Sequence, residues 1–333
     1  MKDYISILMP VKNAAPFLAA CLDSIIKQTC KSWELVVVDD HSDDDSLAIL
    51  QDYERRDHRI KVLINEGKGI INALRRAYDH STGEILTRMD ADDIMAPNKL
   101  MILKQNLLSA GLGHLAVGGV KYFSEEPLGS GYKRYETWLN RLTLSGDNFS
   151  ELYRECVIPS PCWMIHKEDL EYAGAFDDDR YPEDYDLAFR MYQSNLDVIP
   201  CDKILHHWRD HPARSSRNDK NYLDNRFLQL KCHHFMLHDY EDRTLVVWGA
   251  GKKGKLIVQH LKRHQPDLYW ITDNEKKVGK DIYGVTLNNP EVLVELFLPQ
   301  VIVAIANPQE QKVVEDRLFD MGLYPMVDYF MFC

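Results

Sequence analysis

The chain has 333 residues, a formal net charge of −11, 45% apolar and 27% charged residues, the make-up of an ordinary globular protein long enough for two domains. No apolar run approaches the ~20 residues that a bilayer requires. The acidity is uneven, because from Asp242 onward 11 Lys+Arg stand against 12 Asp+Glu, so the first 241 residues carry −10; a field of that sign is a poor footprint for nucleic acid.

Seven cysteines, an odd number without the paired spacing of zinc sites, predict reduced thiols and a cytoplasmic protein. Met1 to Tyr4 lead straight into the strand-like Ile5-Ser6-Ile7-Leu8-Met9, so no signal peptide is expected.

The first ninety residues alternate strand and helix signals, the mark of a parallel α/β sheet. Ile5 to Met9 is a strand ended by Pro10. Asn13 is expected to cap a helix with Pro16 in its first turn and Phe17, Leu18, Cys21, Leu22, Ile25 and Ile26 on its buried face. Leu35 to Val38 is a buried strand ending in Asp39 and Asp40, and Ser42 to Ser46 caps the helix after it. Lys61 to Ile64 is a third strand. From Gly69 a helix puts Ile70, Ile71, Leu74, Ala77 and Tyr78 on one face.

Glu84 to Thr87 then delivers Arg88-Met89-Asp90-Ala91-Asp92-Asp93 to the end of a fourth strand. In period-2 geometry Asp90 and Asp92 point the same way. Paired hard oxygen ligands suit Mg²⁺ or Mn²⁺, which in turn can carry a diphosphate; an acidic turn is the plain alternative. In open parallel sheets ligands sit outside the carboxyl ends of the strands, so Asn13, Asp40, Asp90 and Asp92 are expected to rim one crevice.

At these residues the chain resembles the family 2 glycosyltransferases with the GT-A fold. The resemblance runs through Ile7 to Asn13, Val37 to Asp44, Asn65-Glu66-Gly67, Ala73-Leu74, Gly83-Glu84 and Arg88 to Ile94, with Pro97 and Leu100 following, and reaches roughly residue 215. The subgroup with Arg-Met-Asp-Ala-Asp-Asp usually has Asn after Ala-Leu, where this chain has Arg75. The resemblance implies that Pro10, Val11, Asn13 and Asp40 hold a nucleotide, with Asp40 accepting from the imide N–H of uracil in a UDP-sugar. It implies that Asp90 faces ribose and sugar, with Lys68 and Arg88 assisting, and that Asp92 binds the metal bridging the diphosphate.

From Pro97 a helix carries Leu100, Leu103, Leu107 and Leu108 toward the core, and His114 to Val120 reads as one further strand. Lys133 to Arg141 mixes basic and aromatic residues and fits either an acceptor site or an amphipathic helix burying Trp138 and Leu142. Phe176 to Leu187 enters a helix whose acidic start the macrodipole favours. By resemblance Asp184 is the general base that takes the proton from an acceptor hydroxyl, and attack opposite the diphosphate predicts inversion. Lys203 to Trp208 is a strand. In the polar loop after it, the resemblance makes His211 part of a cover over the donor and a further metal ligand. Water exclusion gives such a cover its use.

Residues 218 to 239 read as a linking helix, in which His233 and His234 face apart and make no metal pair. At Thr244 to Trp248 a strand enters Gly249-Ala250-Gly251-Lys252-Lys253-Gly254 and a helix, and a second strand ends in Asp273, where dinucleotide folds bind ribose. Val301 to Ile305 is a third strand. The expected organisation is a GT-A domain over 1–217 built on a mostly parallel mixed α/β sheet, a linking helix over 218–241, and a small Rossmann-like module over 242–333.

This two-module order is similar to the galactosyltransferase-like proteins that glycosylate queuosine in tRNA, although the acidic charge disfavours a nucleic acid acceptor. Bacterial members of the broader family more often build cell-surface polysaccharide or glycolipid, and the Gln-x-x-Arg-Trp motif of processive synthases is missing. Addition of one sugar to a glycan, glycolipid or other hydroxyl acceptor, at the inner face of the membrane, is therefore expected. A nucleotidyltransferase would need a glycine-rich triphosphate loop where Pro10 to Asn13 stand, and an NAD-binding regulator would work through Gly249 to Gly254.

Overall fold

The structure is a computed structural model that describes residues 3–222 and 224–333. Met1, Lys2 and Leu223 of the expected domains, and the side chains of Ser215, Ser216 and Asp224, lie outside the described residues. The chain divides into two compact units, Met1–Phe149 with Val157–Asn218, and Ser150–Cys156 with Asp219–Cys333.

The first unit opens with β1 (Ile5–Val11), α1 (Ala15–Ile26), β2 (Trp33–Asp39), α2 (Ser46–Arg56), β3 (Ile60–Ile64), α3 (Ile70–Asp79) and β4 (Ile85–Arg88). It continues with β5 (Ile94–Met95), α4 (Lys99–Ala110), β6 (His114–Val117), β7 (Gly119–Phe123) and α5 (Ser130–Ser145). It ends with β8 (Trp163–His166), α6 (Lys167–Tyr172), α7 (Glu183–Gln193), β9 (Asp197–Ile199), β10 (Ile204–Arg209) and α8 (Ser215–Asn218). The main sheet has the order β3-β2-β1-β4-β8-β6-β9, parallel from β3 to β4 and antiparallel where β8 meets β4 and β6. A second sheet, β5-β10-β7, flanks the acidic loop. Fully buried apolar runs in β1 and β2 explain why these strands show no alternation: both faces are covered by helices.

Three local expectations change. Asn13 does not cap α1. It has φ 50°, and the first helical amides are instead held by the next loop, Ala14 N by Ser46 Oγ at 2.9 Å and Ala15 N by Asp44 Oδ2 at 3.0 Å. Phe17 and Leu108, expected in the core, are only partly buried and exposed respectively. The single strand over His114 to Val120 is two strands in different sheets, broken at Gly118, where a Cβ would come within 2.8 Å of Leu205 and 2.9 Å of Cys162.

The second unit comprises α9 (Asp224–His234), β11 (Thr244–Trp248), α10 (Lys252–Leu261), β12 (Tyr269–Ile271), β13 (Asp281–Ile282), β14 (Val285–Asn288), β15 (Pro299–Val303), α11 (Pro308–Asp320) and β16 (Tyr329–Met331). Its sheet runs β13-β14-β12-β11-β15-β16, three strands more than the sequence pattern suggested. The expected long helix over 218 to 239 is interrupted: a 3₁₀ turn at Lys220–Tyr222 precedes α9, and a π turn at Phe235–Asp239 follows it.

Residues Ser150–Cys156 complete this unit. Tyr153 is 1% exposed, stacks on Phe332 at 4.9 Å and bonds Asp239, while Arg154 reaches Gln311, Glu315 and the carbonyl of Cys333. All seven cysteines are free thiols, and no helix among the described residues is long and apolar enough to cross a membrane.

Candidate active site

Strand register brings the acids to one rim. Val11 lies level with Asp39 and Leu8 with Arg88, so Asp40 stands one step past β1 and Asp90 follows two residues beyond the last paired residue of β4. The Asp40 amide donates to Val11 O at 2.7 Å, which locks that alignment.

Asp40 is 3% exposed and already well supplied with donors. Its Oδ1 accepts from Asn65 Nδ2 at 2.6 Å, both oxygens accept from Gly69 N at 3.0 Å, and Lys12 Nζ lies 3.3 Å from Oδ2. These four contacts match the about four lone-pair sites of a carboxylate, so a further donor on Oδ2 would replace Lys12 Nζ, the longest of them at 3.3 Å. Gly69 sits at φ 89°, a left-handed conformation that a side chain would strain. Asn13 Oδ1 accepts from Asp43 N at 2.8 Å, and Lys68 is exposed beside Gly69.

Arg88 sits 5% exposed at the end of β4 and bridges two acids, with Nε 2.9 Å from Asp90 Oδ1 and Nη1 3.1 Å from Glu183 Oε1. The ion pair ties β4 to the first turn of α7. Beside it stands Asp184, whose carboxyl burial and the charge of Glu183 push up to about 7, against a lowering pull from Arg88. Burial likewise raises Asp90, with Arg88 opposing and Asp92 adding to the rise.

Asp92 behaves differently. Burial works to raise it, but the hydrogen bond with His211 and the charge of Arg214 outweigh that and hold it below the ordinary carboxylate value. His211 Nε2 is 2.9 Å from Asp92 Oδ2, and its ring packs on Phe17 at 4.5 Å between centroids. Arg209 Nε donates to Asp92 O at 2.7 Å, and its guanidinium lies over Phe17 and Phe123. Arg214 lies over Trp208 at 5.0 Å and Tyr122 at 5.8 Å.

Asp93 belongs to a layer beneath. It is fully buried, accepting Arg209 N at 2.7 Å on Oδ1, with His206 Nε2 2.9 Å from Oδ2. His206 Nδ1 lies 3.2 Å from the buried Lys99 Nζ, which also donates to Pro161 O. Burial, followed by Lys99, holds the imidazole well below its usual range. With Lys99 Nζ donating to Nδ1, the ring turns Nε2 toward Asp93 Oδ2.

The donor set suits a hard divalent cation. Asp92 Oδ2 and His211 Nε2 are hydrogen-bonded at 2.9 Å, and a cation held by both would take the place of that shared proton. No cluster of three His, Cys, Asp or Glu that could hold a metal occurs among the described residues. A cation here would complete its shell with phosphate oxygens and water, as Mg²⁺ and Mn²⁺ do.

Residues 6–173 match the model of "Glycosyl transferase family 2". The chain belongs to that family. It is 29% identical over 227 residues to the glycosyltransferase GlyA of Streptococcus pneumoniae serotype 4, covering 65% of this chain and 32% of GlyA. It is 40% identical over 114 residues to WfgD of Escherichia coli, a UDP-Glc:alpha-D-GlcNAc-diphosphoundecaprenol beta-1,3-glucosyltransferase, covering 32% of this chain and 44% of WfgD. The chain thus spans less than half the length of these relatives. Among solved structures, S. aureus TarS 1-349 in complex with UDP-GlcNAc superposes with a TM-score of 0.54 at 18% identity, over 80% of this chain and 73% of TarS 1-349. The GT-A fold and family 2 membership expected from the sequence are thereby met.

Several site residues carried no role in the sequence reading. Asn65 lies in a matched motif, and Gly69 opens a helix, but their shared acceptor is 25 or more residues away. Phe17 looked like core, and Arg209 and Arg214 were read only as part of a polar loop. Their place beside His211 in a loop after a strand was the available signal.

Proposed function

We propose that this chain transfers one sugar from a UDP-sugar to a hydroxyl of a glycan or lipid-linked glycan acceptor, with inversion at the anomeric carbon. The observation that carries the reading is Asp184: a carboxyl pushed up to about 7 at the start of α7, beside the Arg88–Glu183 pair and across from the acidic loop. A base with that affinity is matched to taking a proton at neutral pH. The donor class is supported by the UDP-GlcNAc complex of like-folded TarS and the UDP-Glc named for WfgD, whose diphosphoundecaprenol acceptor also motivates work at a membrane face.

The residues divide the labour. Asp40, aimed by Asn65 and Gly69, accepts the imide N–H of uracil, with Val11, Pro10 and Asn13 forming the backbone wall beside it. Asp90, held by Arg88, faces ribose and sugar hydroxyls. Asp92 and His211 would hold a Mn²⁺ or Mg²⁺ ion, which when bound would screen the diphosphate and stabilise the leaving UDP. Lys68, Arg209 and Arg214 add positive charge around the phosphates, and the loop after β10 excludes water. Asp184 takes the acceptor proton as the oxygen attacks C1.

The test is UDP release from a panel of UDP-sugars with Mn²⁺, with EDTA, and with membrane extract as acceptor source. Metal-dependent turnover is expected, with the product anomer opposite to the donor's by NMR. Absence of both UDP-sugar binding and turnover would overturn the reading.

A further inference from the structure

The geometry points to Arg75 as a positioning residue that fixes the base-bearing helix α7 relative to the nucleotide side of the site. The inference rests on the roles proposed for Asp40 and Asp184.

Helix α3 follows directly on Gly69, whose amide donates to both oxygens of Asp40 at 3.0 Å. Along its length α3 then meets residues ahead of α7 at three levels. A Cβ on Gly69 would stand 3.2 Å from Tyr181 Oη. Arg75 forks onto the chain, Nε to Phe176 O at 3.0 Å, Nη2 to Asp177 O at 2.9 Å, and Nη2 to Asp179 Oδ1 at 3.0 Å. Tyr78 meets Phe176 edge-on at 6.1 Å and donates to Glu171 Oε1 at 2.9 Å.

The segment gripped this way has no regular structure between α6 and α7. From its other side Arg190 of α7 donates to Ala173 O and Ala175 O, and pairs with Asp186 at 2.8 Å. The connection is therefore continuous: Asp40 to Gly69, α3 to Arg75, the loop, and Arg190 within the helix that begins with Glu183 and Asp184. Of the three levels, Arg75 makes three directed bonds to this segment. Two go to backbone carbonyls, which side-chain changes in the loop cannot remove. A planar guanidinium suits this fork and an ammonium does not. A base must be held within about 0.5 Å of its productive place, so a loosened loop costs rate before it costs binding.

Arg75 keeps 30% of its side chain exposed, so its variants are expected to fold. The test compares Arg75→Gln and Arg75→Lys with the wild type in the full chain. It measures UDP release from UDP-glucose and UDP-N-acetylglucosamine with membrane extract, binding of Mn²⁺–UDP, the melting temperature, and amide hydrogen exchange. Expected for Arg75→Gln is a kcat lower by about 10–100-fold, UDP affinity within about threefold, and faster exchange over residues 176–186 with that of 64–70 unchanged. Arg75→Lys should recover only a minor part of the rate. Unchanged kcat and unchanged exchange overturn the proposal, and so does a rate loss that merely follows a lower melting temperature and weaker UDP binding. Asp184→Asn run alongside separates the two ideas. If it retains the rate, the base assignment fails; if it abolishes the rate while Arg75→Gln does not lower it, only the role of Arg75 fails. The exchange readout decides the positioning claim even without turnover.

Discussion

Arg88 and Glu183, 95 residues apart in the chain, meet at 3.1 Å with only 6% and 7% of their side chains exposed. Removing one partner of a buried pair strands the other's charge. Arg88→Met should therefore destabilise the protein by about 3–5 kcal/mol, read as a lower denaturant midpoint. Because Arg88 also pulls the Asp184 carboxyl down, the same variant should shift the pH–rate midpoint upward. A midpoint that stays in place would separate Arg88 from the base.

The pH dependence of the free enzyme follows from Asp184. A base pushed up to about 7 by burial and Glu183 must lose its proton to act, so kcat/KM should rise with pH through about 7 and then level. Stability carries the opposite slope from this group. The folded carboxyl holds its proton to higher pH than the unfolded one at ~3.9, so its contribution is full at acid pH and is lost as pH rises through about 7. Asp184→Asn should remove the slope and transfer together while leaving Mn²⁺–UDP binding near wild type.

Metal dependence should separate Asp92 from Asp93. Asp92→Asn and treatment with EDTA should each bring UDP release to background. His211→Ala should raise the Mn²⁺ needed for half-activation by at least the roughly 10–100-fold that loss of a supporting partner costs. Asp93 accepts from Arg209 N and His206 instead, so its substitution should appear mainly as lost stability.

The buried Lys99 offers a check on that inner layer. Lys99→Met leaves Pro161 O and His206 Nδ1 without their donor, at a cost of about 1–3 kcal/mol for each unsatisfied group. A thermal melt unchanged by this substitution would mean that the chain from Lys99 through His206 to Asp93 does not hold the acidic loop.

The second unit should not fold from Asp219–Cys333 alone, because Tyr153 and Arg154 supply part of its interior. Tyr153→Ala should cost about 3–5 kcal/mol, as for other large aromatic truncations, and a fragment starting at Asp219 should lack a cooperative transition by circular dichroism. A fragment that melts cooperatively would show that Ser150–Cys156 is dispensable there.

By itself the sequence determined the class of the fold, the succession of its first four strands along the chain and the acids at their ends. Those features are local: unbroken apolar runs mark strands buried on both faces, and a carboxylate where such a run stops marks the rim of a parallel sheet. The Gly-rich turn after Trp248 was legible for the same reason. What only the tertiary structure decided is which charges meet. Asp44 and Ser46 hold the start of α1 in place of Asn13, Gly118 divides one apolar run between two sheets, and Ser150–Cys156 joins the second unit. The same holds for Arg88 bridging Asp90 to Glu183, and Arg75 gripping the loop before Asp184. Each joins groups dozens of residues apart through the strength that burial lends a paired charge or hydrogen bond, and no periodicity in the chain records such a partner.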